Sequence, residues 1–141
     1  MVNRDVTAAK LADLAGRVER IRLHAKASAA ELAGDQDASE LVSFNLMLAV
    51  QLCCDIASHI IADDQLPSVR SLGEAFTRLA EHRILTAETA QGMSRAAGFR
   101  NVVVHGYVSI DPAIVHRAAT DGVADLERFA REIAAWCNAQ A

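Results

Sequence analysis

The stretch "LVSFNLMLAVQLCCDIASHII", Leu41 to Ile61, is apolar on nearly every side when wound as a helix. A helix without a polar face must be buried by several neighbours or by a second subunit, so the rest of the chain has to supply what covers it. Asp37 followed three residues later by Glu40 reads as a capping box that starts this helix, which then runs to about Asp63. Asn45, Gln51, Asp55 and His59 place polar groups on it. Such groups need partners when buried, and a wet cleft between subunits is the expected source.

Upstream, Val6, Leu11, Leu14, Val18, Ile21, Ala25 and Leu32 fall on one helical stripe with the charged residues largely off it, which predicts one long amphipathic helix from Val6 to about Ala33. Gly34 supplies its stop. Downstream, Pro67 breaks the chain, and Ser71 with Glu74 forms a second capping box ahead of "LGEAFTRLAEHR". Thr86 caps a fourth helix through Met93, Ala97 and Phe99, weakened by Gly92 and Gly98. Asp111 and Pro112 are the N-cap and first turn of a last helix that reaches about Cys137. The expected architecture is all-α: one domain over residues 1–141, an antiparallel bundle of about five helices joined by short loops, and homodimeric.

Composition agrees with a helical core and narrows the function. Of 141 residues 52% are hydrophobic, with only two prolines and four phenylalanines, so helix formers outnumber strand formers. The net charge of −4 argues against a general nucleic-acid coat but leaves room for a small local site. Cys53, Cys54 and Cys137 have neither metal-ligand spacing nor a ready disulfide pairing, which fits a reducing cytoplasm. "MVNRDVTAAK" lacks an apolar signal core, and no run approaches the roughly 20 apolar residues that span a bilayer. A cytoplasmic protein without membrane contact is expected.

Chemistry concentrates in "FRNVVVHGY", Phe99 to Tyr107, inside a segment with no carboxylate from Thr89 to Ile110. Arg100 and His105 are five apart, which in a continuous helix separates them by roughly 140° around the axis and about 7.5 Å along it. Two arrangements bring them together. The helix can end near His105, as Gly106 favours, or a second copy can approach across a symmetry axis. His105 among the last carbonyls of a helix suits a proton donor. Arg100 offers a permanent charge and a planar fork of donors matched to a phosphodiester. With the 2′-hydroxyl of RNA as nucleophile, these are the minimum parts of a metal-independent ribonuclease needing no cofactor. Against this stands a plain reading of Arg100 as a surface residue and His105 as a helix cap, since such a pair recurs by chance.

The octapeptide "RNVVVHGY" resembles the signature of the HEPN superfamily, and its closing tyrosine makes it similar to the HepT toxin branch. The order of "QLCCDIASHII", a proline loop, "LGEAFTRLAEHRIL", "MSRAAGFRNVVVHGYVSID" and a final helix is also that of the branch; the amino-terminal third carries less of it. The resemblance implies a helical domain that dimerises so that two motifs line one cleft. It implies a ribonuclease toxin acting on cellular RNA, with tRNA a plausible substrate, paired with an MntA-type nucleotidyltransferase antitoxin. By position, Arg100 and His105 match the catalytic pair, Asn101 the polar residue after the arginine, and Tyr107 the tyrosine that the antitoxin modifies with AMP.

Around the motif, Arg95 and Arg117 are candidates for holding RNA phosphates, a solvated face being the equal alternative. Asp55 and His59, four apart, could hold a metal or orient one another; lacking a third ligand, they read better as a hydrogen-bonded pair supporting the site. Val102, Val103 and Val104 are core or dimer-contact residues. Aromatic side chains are scarce, so recognition of RNA by shape and charge is expected over stacking. Two rivals remain at this point: a non-catalytic interaction module that docks a nucleotidyltransferase and assists nucleotide or substrate binding, and a metal-binding helix bundle.

Overall fold

The apolar helix at the centre of the sequence is also the centre of the computed structural model, which describes residues 3–106 and 111–140. Helix α1 spans Arg4–His24 and is capped by Asn3, whose side chain accepts from the N–H groups of Asp5 and Val6. It stops well short of Ala33. Lys26 adopts a φ of 63°, and Ser28 starts a separate one-turn helix α2, Ala29–Ala33, by accepting from the Glu31 N–H. Glu31 returns the favour to the Ala27 N–H at 3.1 Å. This local capping box outweighs the apolar stripe that predicted one long helix, yet Leu32 still reaches the core fully buried.

Helix α3, Gln36–Asp63, is capped two residues ahead of the expected position: Asp35 accepts from the Ala38 N–H at 3.0 Å, while Glu40 is engaged by the Gln36 side chain. The Ala38 N–H, and then Lys26, hold the Asp35 carboxyl below its ordinary range. By length and composition α3 could cross a bilayer, with a mean hydropathy of 1.6 over its most apolar window, contrary to the expectation that no run comes close. Half of that window is buried inside the protein, where α3 packs against α1, α4, α5 and α7 as a core helix.

Helix α4, Leu72–Glu81, is capped by Ser71, and Glu74 reaches back to the Arg70 N–H at 2.8 Å. Thr86 caps α5, Ala87–Gly106, through the Thr89 N–H, and Glu132 from the far end of the chain ties down Thr86 and Thr89. Asp111 starts α6, Pro112–Arg117, which widens into a π-helical turn, Ala118–Gly122, before α7, Val123–Ala139. The single last helix expected from sequence is thus one run of chain with a π insertion. Short links make α1, α3, α4 and α5 successive neighbours in an all-α antiparallel bundle, with α7 closing it against α1 and α5. One apolar cluster draws on every helix; at its centre Phe76 of α4 meets Phe129 of α7 edge to face at 5.7 Å.

Candidate functional site

Helix α5 carries the whole described part of the motif. It stays helical through Gly106, so Arg100 and His105 keep the azimuthal separation of roughly 140° that a regular helix imposes. The described part of the helix ends at Gly106, one residue past His105, as that glycine favoured.

Arg100, half-buried, turns toward α3. Its Nε donates to the Gln51 Oε1 at 3.1 Å and its Nη1 to the Asn101 Oδ1 at 3.1 Å. Gln51 in turn donates through Nε2 to the Asp55 Oδ1 at 2.9 Å, and the Lys10 ammonium lies 3.9 Å from Asp55 Oδ2. The guanidinium is therefore positioned by two neutral amides, with the Asp55 carboxylate reached through Gln51. Among the described residues two of its five N–H donors are occupied and no carboxylate pairs with it. An anion approaching α5 meets a cation whose direction is already set.

His105 is exposed in the last turn of α5. Asn101 and Val102 are also exposed, while Val103 is buried and Val104 half-buried, so the three valines divide between core and surface. Tyr107 lies outside the described residues.

Asp55 and His59 do not pair with one another. Asp55 serves Gln51 and Lys10, whereas the His59 Nε2 lies 3.1 Å from the Asp63 Oδ2, one turn further along α3. The i,i+4 spacing exists for both, but Asp55 turns to Gln51 and Lys10, and His59 approaches Asp63 without hydrogen-bond geometry. Asn45 is satisfied within the chain, accepting from Arg17 and donating to the Leu41 carbonyl. Of the polar groups of α3, Asn45 is met by Arg17 of α1, Gln51 by Arg100 of α5 and Asp55 by Lys10 of α1, whereas the buried His59 Nε2 makes no hydrogen bond among the described residues. Among the described residues no cluster of His, Cys, Asp or Glu has the arrangement of a metal site.

Directly beneath Arg100, the Cys54 thiol is pushed up to about 11 by burial, against the pull of the arginine and with a smaller push from Asp55. Burial, then Cys54, raise Cys53 well above its ordinary value. Both are fully buried thiols that pack rather than react.

Arg95 and Arg117, distant in sequence, meet at the rim of one cavity between α3, α5 and the α6–π segment. Arg95 is 71% exposed at the side chain and 3.9 Å from Asp125, whose carboxylate also pairs with Arg128. Gln51, noted in the sequence only as a polar group of the central helix, is the residue whose role was missed. Its i,i+4 relation to Asp55 was visible, but its hold on Arg100 depends on how α3 and α5 rotate against each other.

Residues 14–133 match the family described as Ribonuclease HepT-like. The mRNA nuclease HepT of Shewanella oneidensis is 28% identical over 125 residues, covering 89% of this chain and 93% of that protein. The tRNA nuclease HepT of Aphanizomenon flos-aquae is 33% identical over 88 residues, 62% of this chain and 60% of that protein. Among solved structures, the tri-AMPylated Shewanella oneidensis HEPN toxin in complex with MNT antitoxin is similar with a TM-score of 0.85 at 27% identity, over 94% of this chain and 99% of that one. With the helix order, the motif on α5 and a family match across most of its length agreeing, the chain belongs to the HepT-like ribonuclease family.

Proposed function

We propose that this protein is the toxin of a toxin–antitoxin pair, a metal-independent endoribonuclease that cleaves cellular RNA in the cytoplasm as a homodimer. The observation that carries the reading is the pre-set guanidinium of Arg100, held by the neutral amides of Gln51 and Asn101 and paired with no carboxylate among the described residues, on the same helix that exposes His105. In the reaction, the 2′-hydroxyl of a ribose gives up its proton to solvent water as its oxygen bonds to the adjacent phosphorus, and the bond from phosphorus to the 5′-oxygen of the next nucleotide breaks. His105 supplies the proton that the leaving oxygen needs, and Arg100 stabilises the extra charge on the phosphorane. The products are a 2′,3′-cyclic phosphate and a 5′-hydroxyl. Because a regular helix separates the two groups, Arg100 of one protomer works with His105 of the other.

The substrate class is cellular RNA. One relative is called an mRNA nuclease and another a tRNA nuclease, and tRNA is the specific substrate to test first. Neutralisation is assigned to AMPylation of Tyr107 by an MntA-like nucleotidyltransferase antitoxin, a reading supported by the tri-AMPylated relative held by its MNT antitoxin. A phosphodiester-linked nucleotide two residues beyond His105 brings negative charge and bulk to Arg100 and His105, imitating and obstructing the substrate together.

The test is subunit complementation. Arg100→Ala is expected to lower the cleavage rate about a hundredfold, and His105→Ala by roughly 10²–10⁴. Mixed dimers of the two variants regenerate one intact site and recover activity that neither variant shows alone. Undiminished cleavage by His105→Ala would falsify the catalytic assignment. Failure of the mixture to regain activity, with exchange verified by mass, would refute the shared site. Growth arrest on expression without the antitoxin separates this reading from a docking module, which would be harmless.

A further inference from the structure

The cavity beside the motif has the size and chemistry of a nucleotide site. It encloses about 380 Å³, within the range of small-molecule pockets. Its floor is apolar, built from Leu46 and Val50 of α3 and from Ala96 and the half-buried ring of Phe99 on α5. Two cations stand at its rim. Arg117 is exposed, and Arg95 shares Asp125 with Arg128, so neither guanidinium is fully neutralised. Two carboxylates also line it: Asp125, engaged by Arg128 and Arg95, and Asp121, exposed on the π turn.

Each part matches one part of a nucleotide. A flat apolar floor with an aromatic ring accepts a base face. Paired arginines at the mouth accept the flanking phosphates. A carboxylate accepts hydrogen bonds and offers none, so it favours bases that carry an exocyclic amine over uracil, which presents carbonyl oxygens on both sides of its single N–H. The π turn gathers Ala118, Asp121 and Gly122 onto the cavity, the kind of local widening that recurs at functional sites. Phe99, which lines the cavity, immediately precedes Arg100 and stands roughly 100° around α5 from it, so the cavity adjoins the motif.

We propose that this cavity is a base-recognition subsite for one unpaired nucleotide of the RNA substrate, selecting an amine-bearing base. The proposal rests on the ribonuclease reading above and adds to it a source of sequence preference that scarce aromatics had argued against.

Binding tests it without cleavage. The probes are fluorescein-labelled 2′-O-methyl hexanucleotides of A, C, G or U, which lack the nucleophilic hydroxyl, titrated into the full-length protein and read by anisotropy. The A, C and G probes are expected to bind roughly tenfold tighter than U. Asp121→Ala removes that difference and leaves U binding unchanged. Ala96→Leu fills the cavity and weakens the amine-bearing probes to the U level. Arg117→Ala, at an exposed position that leaves folding intact, weakens all four and lowers the salt slope by about one charge. Equal affinities for the four probes, or variants that bind as the parent does, overturn the subsite. So does a change confined to oligomeric state in light scattering, which would make the cavity a contact between copies. Cleavage by parent and His105→Ala is scored separately: loss of the subsite with cleavage intact sinks this inference alone, and base preference without cleavage sinks the nuclease reading alone.

Discussion

Replacing Gln51 by leucine is expected to slow cleavage by about 10- to 100-fold, although Gln51 touches no reacting atom. Its Oε1 accepts from the Arg100 Nε at 3.1 Å, a hydrogen bond to a charged group. Such bonds contribute about 1.5–3 kcal/mol. Leucine keeps the approximate volume and removes the acceptor, leaving the guanidinium tethered only by Asn101. The loss has a ceiling, because orientation can cost no more than the roughly 3 kcal/mol that a single charge-stabilising donor supplies to a transition state. Single-turnover cleavage with enzyme in excess reads the chemical step directly, and urea denaturation separates it from stability. The decisive measurement is a double-mutant cycle with Arg100→Ala. If Gln51 acts by aiming Arg100, leucine at position 51 has no effect once the arginine is gone, and the coupling energy equals the full effect of the single substitution. Losses that add to within about 0.5 kcal/mol refute the positioning role. Gln51→Glu provides a contrast: a carboxylate in the same place neutralises the guanidinium, so KM rises as well and the salt dependence of binding becomes shallower.

The glycines of α5 should behave oppositely. A Cβ on Gly92 would lie 2.5 Å from the Asp125 Cγ, so Gly92→Ala must displace the carboxylate that holds Arg128, at about 1–3 kcal/mol, which outweighs the helix-propensity gain of about 1 kcal/mol. Gly98 has nothing within 4 Å of a Cβ, and Gly98→Ala should raise the urea midpoint by the equivalent of about 0.5–1 kcal/mol. A shift of the same sign for both would contradict this packing. For Cys54, burial raises the thiol from 9.0 to about 11, so its contribution to stability is complete below pH 9 and is lost as pH climbs toward 11, at up to about 1.4 kcal/mol per pH unit. Urea midpoints should fall between pH 9 and 10.5, less steeply in Cys54→Ala. Iodoacetamide should label Cys54 at pH 8 no faster than the protein unfolds; rapid labelling of the native state would show the thiol to be accessible.

Much of the fold was legible because helix starts are written locally. Ser71 with Glu74, Thr86 with Thr89, and Asp111 with Pro112 each cap the helix they were expected to cap, since the bonds involved span two to four residues. Where reading failed, two local signals competed. The apolar stripe of α1 continues to Leu32, but Ser28 and Glu31 cap a new turn; Asp35 and Asp37 both offered a carboxylate, and the earlier one took the Ala38 N–H. The candidate site divides in the same way. Arg100, Asn101 and His105 were identifiable as a run of residue types, whereas the partners assigned to Asp55 and His59 were wrong because a helical spacing permits a contact without choosing it.

Sequence alone determined that this chain is helical, roughly where its helices begin, and which short segment concentrates its charge chemistry, because caps, periodicity and composition act over a few residues. Tertiary structure decided that Gln51 holds Arg100, that Arg17 of α1 meets Asn45, and that Arg95 and Arg117 share one cavity with Asp121. Those outcomes depend on the rotation of one helix against another. That rotation is set by the sum of many apolar contacts, and no single stretch of residues encodes it.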